Sequence, residues 1–461
     1  MTLLRTALAV AIGSLGLAAS AQAATYVVTS KSAQFSAQQE RQIAAQGGTV
    51  TARLPQIGVL IVESGVVDFD RRAARLSSVH TATRDIQIQF DLPPEETVGA
   101  DFANPPTSGD NDFFFDLQWG HAAIDAAGAW NAGYRGAGAT VAVLDSGLYC
   151  DHADIAPNLI GGTSFVPGEG LCNTSGSIHG THVAGTILAA DNAYGTIGVA
   201  PLAKLIGVKV LSAVNGSGSF AGIIQGIVYA ADAGADVINM SLGVRGGLPV
   251  NGPGADGVAA LVNATARATR YAERSNAVVI ASAGNDARDL DKDSSTRICD
   301  AGGTDCFNAN LRAFPAELPG VLAISALAPE GWAIDPNTNK DILASYSNFG
   351  VSAISFSAPG GDARLPGNAP CTVAGLTRPC WVFDLVFSTG RTGSFSWMAG
   401  TSMAAPHASG VAALIVGKAG GDVAATEVVR IMRESADDLG KSGKDPVHGF
   451  GRVNAAAAVA E

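Results

Sequence analysis

Three side chains in this sequence have the types and local settings that nucleophilic catalysis needs. Ser402 lies in Gly400-Thr401-Ser402-Met403-Ala404-Ala405, followed by Pro406-His407, where glycine lets the chain turn sharply into a mostly apolar helix over residues 403–418. A serine at such a start sits at the positive end of the helix dipole among free backbone N–H groups, which suits a reaction that develops negative charge on oxygen. Asp145 ends the apolar, β-branched run Ala139-Thr140-Val141-Ala142-Val143-Leu144, which reads as a buried parallel strand leading into Asp145-Ser146-Gly147. His179 opens His179-Gly180-Thr181-His182-Val183-Ala184-Gly185, the start of a helix reaching about residue 190. Each residue alone has an ordinary reading, Asp145 as a turn residue, His179 and Ser402 as helix starts. Together, in this chain order, they match one known arrangement of the nucleophilic triad. His179 then takes the Ser402 proton, and Asp145 holds the imidazole in the useful tautomer and stabilises its cation. His182, three residues further along the helix, and His407, one turn behind Ser402, read as packed structural histidines.

These residues are far apart in sequence, so only a large fold can join them. Apolar runs at 140–144, 205–211, 237–240, 277–281 and 321–326 read as strands, with helices around 181–190, 221–233 and 258–274. The alternation predicts a doubly wound α/β fold, a mostly parallel sheet with helices on both faces, which binds ligands beyond the carboxyl ends of its strands. Residues 24–90 form a separate small module. They read as a strand at 26–28, a polar helix at 37–46, a strand at 58–62, a helix at 67–76 and a last strand at 84–90. Residues 91–116, with four prolines, seven acids and no Lys or Arg, read as an exposed linker, leaving 117–461 for the catalytic domain.

The 461 residues are 47% hydrophobic and 15% charged with 56 glycines, values that suit a tightly packed core. A net charge of −12 speaks against a nucleic-acid partner. Residues 1–23 read as a secretory signal: Arg5, an apolar stretch over 6–19, then Ala21-Gln22-Ala23 as the cleavage site. That stretch is too short to span a bilayer, and no later segment offers a membrane anchor. A secreted protein, extracellular or periplasmic, is expected. Six cysteines in an exported chain suggest disulfides; position groups them as 150/172, 299/306 and 371/380. No zinc-type spacing occurs.

With these motifs the chain resembles the subtilisin family (subtilases) of secreted serine endopeptidases over about residues 119–461. The resemblance rests on Val143-Leu144-Asp145-Ser146-Gly147, on the His179 and Ser402 motifs, and on Ile280-Ala281-Ser282-Ala283-Gly284-Asn285. Gly198-Val199-Ala200-Pro201 and Asn239-Met240-Ser241-Leu242-Gly243 add to it. It implies that Asn285 donates its side-chain amide to the oxyanion, beside the Ser402 backbone N–H. It also implies that Ser241, Leu242 and Gly243 with Ser282, Ala283 and Gly284 line the specificity pocket and pair with extended substrate. The 24–90 pattern resembles the inhibitor-type propeptide of the family, a small α+β, ferredoxin-like unit. The implied partners are polypeptide substrates and the chain's own propeptide, acting as intramolecular chaperone and inhibitor, with the enzyme a monomer. The chemistry needs no cofactor. Asp154 matches a calcium-ligand position and the loop Asp191-Asn192-Ala193-Tyr194-Gly195 the corresponding loop, shorter here, so the metal assignment is left open. Two other readings compete. An esterase or lipase needs Gly-x-Ser-x-Gly with its serine first in the triad order, whereas Ser402 comes last and is followed by Met-Ala. A catalytically silent binding protein on the same scaffold is opposed by all four catalytic positions being filled.

Overall fold

The computed structural model describes residues 23–90, 92–99, 110–292, 296–299 and 306–461. The expected signal segment therefore lies outside the described residues, apart from its last position.

The N-terminal module is β1 (Ala24–Ser30), α1 (Ala37–Ala44), β2 (Gly48–Leu54), β3 (Val59–Ser64), α2 (Phe69–Ala74) and β4 (Val79–Arg84), with an antiparallel sheet in the order β2-β3-β1-β4. α1 starts on a capping box, Ser36 Oγ accepting from the Gln39 amide while the Gln39 side chain accepts from the Ser36 amide. Alternation along β1 divides its side chains: Tyr26 and Val28 pack under the module's own helices, and Val27 faces the catalytic body. Two expectations change here. β2 was not among the expected strands, because its exposed face carries Thr49, Thr51 and Arg53 and its apolar signal is weak. The last strand of the module is β4, not residues 84–90; Gln87–Gln89 instead forms β5 on the catalytic body.

Downstream come β6 (Glu96–Gly99), β7 (Thr140–Asp145), β8 (Leu159–Ser164), α3 (His179–Leu188), β9 (Lys204–Lys209), β10 (Ser217–Ser219), α4 (Phe220–Asp232), β11 (Val237–Met240), α5 (Ala255–Arg274), β12 (Val278–Ser282), β13 (Val321–Ala328), β14 (Ile342–Leu343), β15 (Ile354–Pro359), β16 (Val386–Thr389), β17 (Ser394–Met398) and α6 (Thr401–Lys418). The central sheet runs β8-β9-β7-β11-β12-β13, all parallel. Beyond β13 lie β15, parallel to it, and β14, antiparallel to it. Both faces are covered. Val141 and Val143 of β7 point into a core shared with α3 and α6, while Ala142 and Leu144 point into one shared with α4 and α5. The chain leaves β7 toward β9 and returns on its other side as β11, so the end of β7 is the switch point of the sheet. Asp145 occupies that end.

The 91–116 segment departs from the exposed linker expected of its composition. β6 pairs with β17, Val98 is buried, and Asp112 and Phe114 are buried against the catalytic body. Cys150 pairs with Cys172 and Cys371 with Cys380, as expected from position. Cys306 is disulfide-bonded, and Cys299 stands opposite it in register on a short hairpin; the Cys299 side chain lies outside the described residues.

Candidate active site

Parallel register gathers the site at one edge of the sheet. Val143 of β7 lies opposite Asn239 of β11, so Asp145 and Ser241, two residues further on, leave adjacent strands side by side, about 5 Å apart. Met240 lies opposite Ala281, which brings Ser282 of β12 into the same row.

His179 Nδ1 donates to both oxygens of Asp145, at 2.8 and 2.9 Å, and the Ser146 amide donates to Asp145 Oδ1 at 2.6 Å. Glycine makes this approach available: a Cβ on Gly180 would stand 2.3 Å from Gly147 O. Ser177 Oγ accepts the His179 amide at 3.1 Å, which steadies the helix start. The carboxylate fixes the proton on Nδ1, so Nε2 is left with its lone pair; Nε2 is buried and has no hydrogen-bond partner among the described residues.

Ser402 is the second residue of α6. Its Oγ donates to Ser241 O at 3.2 Å, and Ser241 Oγ returns a bond to Ser402 O at 2.8 Å, tying the serine to the row of strand ends. Oγ is thus bonded to Ser241 rather than to His179 Nε2. A catalytic hydrogen bond of this kind commonly tightens only when substrate arrives. Asn285 Oδ1 accepts from the Thr401 amide at 2.9 Å and from Thr401 Oγ1 at 2.8 Å, which assigns the acceptor side of the amide and leaves Nδ2 as donor. Asn285 Nδ2 and the Ser402 amide lie 3.5 and 3.6 Å from the point where a Gly400 Cβ would stand, so both donors border the same space. Asn348, absent from the sequence reading, holds this loop: its Nδ2 donates to Ala283 O at 2.9 Å, and its Oδ1 accepts the amides of Asp286 and Arg288. A lone Asn after a serine carries no local signal of that task.

Gly243, Ser282, Gly284, Asn285 and Ser402 line one recess. Ser282 Oγ donates to Leu242 O at 3.1 Å and joins its two walls, while Leu242 and Ala283 are buried behind it. Ser402 is 3% exposed at this recess, and His179 is fully buried. β5 lies antiparallel on β10, the Phe90 amide donates to Gly216 O at 3.2 Å, and the Phe90 side chain is buried against Gly218. A carboxylate-oriented imidazole, a serine at a helix N-terminus and paired amide donors can together carry out acyl transfer.

The family model for the subtilase family matches residues 136–451. The chain belongs to the subtilase family.

This subtilase is 34% identical to subtilisin DY of Bacillus licheniformis over 326 residues, 71% of this chain and 92% of the relative. It is 34% identical to subtilisin Savinase of Lederbergia lenta over 343 residues, 74% and 98% of the two chains. The epidermin leader peptide processing serine protease of Staphylococcus aureus shares the fold over 95% of this chain and 98% of its own, with TM-score 0.73 at 20% identity. A lanthipeptide protease superposes over 75% and 95% of the two chains, with TM-score 0.57 at 27% identity. The chain is a subtilisin-like serine endopeptidase, and enzymes of this type need no cofactor for catalysis. No helix among the described residues is long and apolar enough to cross a membrane.

Two further histidines of the subtilase are structural. His182 Nε2 donates between Val386 O and Ser396 O at 3.1 and 3.0 Å, and His407 Nδ1 donates to Met403 O at 2.8 Å. Burial, with His179 nearby, pushes His182 down to about 3; burial pushes His407 down to about 4. A histidine whose folded-state pKa lies below its ordinary 6.5 contributes stability above that value and loses it as pH falls toward the folded pKa. For His407 the loss between pH 7 and pH 4.5 is on the order of 2–3 kcal/mol. Denaturant melts on a Ser402→Ala background should therefore show His407→Gln gaining that much on its parent between the two pH values. An equal gap at both would remove His407 from the acid limb.

The calcium expectation meets donors instead of an open oxygen cage. Asp154 Oδ2 accepts from the Thr196 amide at 2.9 Å, and its Oδ1 accepts from Asn192 Nδ2 at 3.3 Å. The amides of Asn192 and Tyr194 both turn to Asp112 Oδ1. Asp110, Asp112 and Asp191 cluster nearby, but the Arg135 guanidinium already pairs with Asp191. Calcium needs six to eight converging oxygens; inward N–H groups and a resident guanidinium do not fit that requirement.

Proposed function

We propose that this subtilase is made as an autoprocessed preproenzyme, Ser402 cutting the chain's own linker after residue 90, and that it hydrolyses peptide bonds through an acyl-enzyme on Ser402. His179 Nε2 takes the Oγ proton and later delivers it to the leaving amine; Asp145 orients the ring and stabilises its cation. Asn285 Nδ2 and the Ser402 amide receive the oxyanion, on donors fixed before the charge develops. Ser241, Leu242 and Gly243, facing Ser282, Ala283 and Gly284, bind the acyl side of a polypeptide substrate as an added strand. The observation that carries this reading is the carboxylate–imidazole pair, held on the same row of strand ends as the serine.

Residues 24–90 are, on this reading, a ferredoxin-like propeptide. The βαββαβ order with sheet order β2-β3-β1-β4 supports it, as does the seating of β5 on β10 like a bound substrate. Residues 1–23 direct export, to an extracellular or periplasmic destination, and the processed enzyme acts as a monomer. The 191–195 loop and Asp154 supply no calcium requirement.

A fluorophosphonate probe applied to the processed enzyme should label the peptide containing Ser402, and His179→Ala should suppress labelling. Labelling elsewhere, or none, would favour the catalytically silent alternative.

A further inference from the structure

A second added strand lies beyond the catalytic serine. β17 runs directly into Gly400-Thr401-Ser402, and β6 pairs with it antiparallel in the register Glu96–Trp397, Thr97–Ser396, Val98–Phe395 and Gly99–Ser394. Without β6, β17 is an open edge, because β16 covers only its other side. Side chains secure the added strand. Thr97 and Ser396 share a hydroxyl hydrogen bond of 2.9 Å, and Val98 is buried among Phe114, Phe395 and Trp397.

The charges are matched along the same edge. Arg391 Nη2 lies 3.5 Å from Glu95 Oε1, and Arg378 Nε donates to Glu96 Oε1 at 3.2 Å. Arg391 also reaches Gly176 O at 3.2 Å, three residues before His179, so the Glu95 end of the strand abuts the histidine loop. Arg378 sits over the Trp397 ring, 6.0 Å from its centroid, on the end of a hairpin closed by Cys371–Cys380. Upstream, the chain is held by β5 on β10 and by the Phe90 amide on Gly216. The two clamps are separated by only a few residues of chain, at most about 20 Å when fully extended.

We propose that the β17 edge, with Arg391 and Arg378 along it, is a recognition strip for extended acidic peptide on the leaving-group side of the scissile bond. Its first occupant is the chain's own Glu95–Gly99. Building on the self-processing reading above, the strip places the processed bond between the clamps and keeps the new N-terminal strand after the cut. Two adjacent acids in a segment without any Lys or Arg are the feature it reads. Exposed ion pairs are weak singly, so the charges select while the backbone ladder and Val98 supply the hold.

The test starts from full-length precursor, refolded from denaturant, with conversion timed on gels and the new N-terminus sequenced. Wild type should gain an N-terminus within residues 91–95. Arg391→Glu or Glu95→Arg alone should each slow conversion by about 5- to 10-fold, by replacing attraction with like-charge repulsion. The two together should return it to within about twofold, a rescue that a merely structural role does not produce; Arg378→Glu with Glu96→Arg should behave alike. If a single variant fails to refold, the wild type answers instead: its conversion should slow several-fold as salt shortens the Debye length from about 10 to about 3 Å. A new N-terminus outside residues 91–95, singles at wild-type rate, a swap as slow as its singles, or a salt-independent rate each overturns the strip. Trimming of Ser402→Ala at the same bond would instead remove the self-processing reading beneath it.

Discussion

Ser402→Ala is expected to abolish peptide-bond hydrolysis and, in a system free of other proteases, to accumulate with residues 24 onward still attached. The expectation follows from chemistry first. No acyl-enzyme forms without Oγ, and removal of any member of such a triad leaves only the small residual rate that oxyanion donors and binding provide. Folding should be nearly unaffected. The hydroxyl contributes one hydrogen bond, to Ser241 O at 3.2 Å, worth about 1 kcal/mol, while the return bond from Ser241 Oγ goes to the backbone carbonyl and survives. The inactive chain should therefore be a stable precursor with β5 still on β10 and β6 on β17. Intact mass and a peptide-substrate assay check both halves. Substantial hydrolysis by the purified variant would displace Ser402 from the chemistry, and trimming to the wild-type N-terminus in that system would show that the processing does not need Ser402.

Asn285→Ala is expected to lower kcat by about 10²- to 10³-fold with KM little changed, because its amide meets the oxygen only once charge has developed. That magnitude was measured on a subtilisin and is carried over by family membership. The structure adds a complication that the experiment must separate. Asn285 Oδ1 also accepts from the Thr401 amide and Thr401 Oγ1, so alanine removes a clamp on the first turn of the Ser402 helix as well as the donor. Asn285→Asp keeps the acceptor and replaces Nδ2 with a negative oxygen. It should hold the Thr401 contacts and the melting temperature, yet be at least as slow as alanine. Recovery of activity in Asn285→Asp would mean that the clamp, and not the donated hydrogen bond, is what catalysis uses. Wild-type kcat in Asn285→Ala would mean that another group fills the oxyanion position.

Much of this architecture is written locally. Residues 140–145, 237–240 and 278–282 are short apolar runs rich in β-branched residues, buried on both faces, and such runs announce strands wherever they occur. Glycine before Ser402 and after His179 marks helix starts that must approach other backbone closely, and the Gly180 contact with Gly147 O shows why. The residue types of the triad, its order and the parallel sheet that positions it could therefore be read without coordinates. The module was legible as alternating strands and helices, except β2, whose exposed polar face weakens the pattern, and its last strand, which is β4 and not residues 84–90.

What the sequence by itself left open belongs to contacts between segments that share no local signal. Residues 87–90 alternate as any module strand would; only the edge at Ser217–Ser219, far along the chain, decides that they lie on the catalytic body. Residues 91–116 have the composition of a solvated linker, and Val98, Asp112 and Phe114 are buried only because aromatic and backbone partners await them elsewhere. Asn348 gains its task from the amides of Asp286 and Arg288. Local patterns fix which backbone hydrogen bonds a segment seeks. Which edge satisfies them depends on long-range register and complementary side chains, and those exist only once the chain has folded.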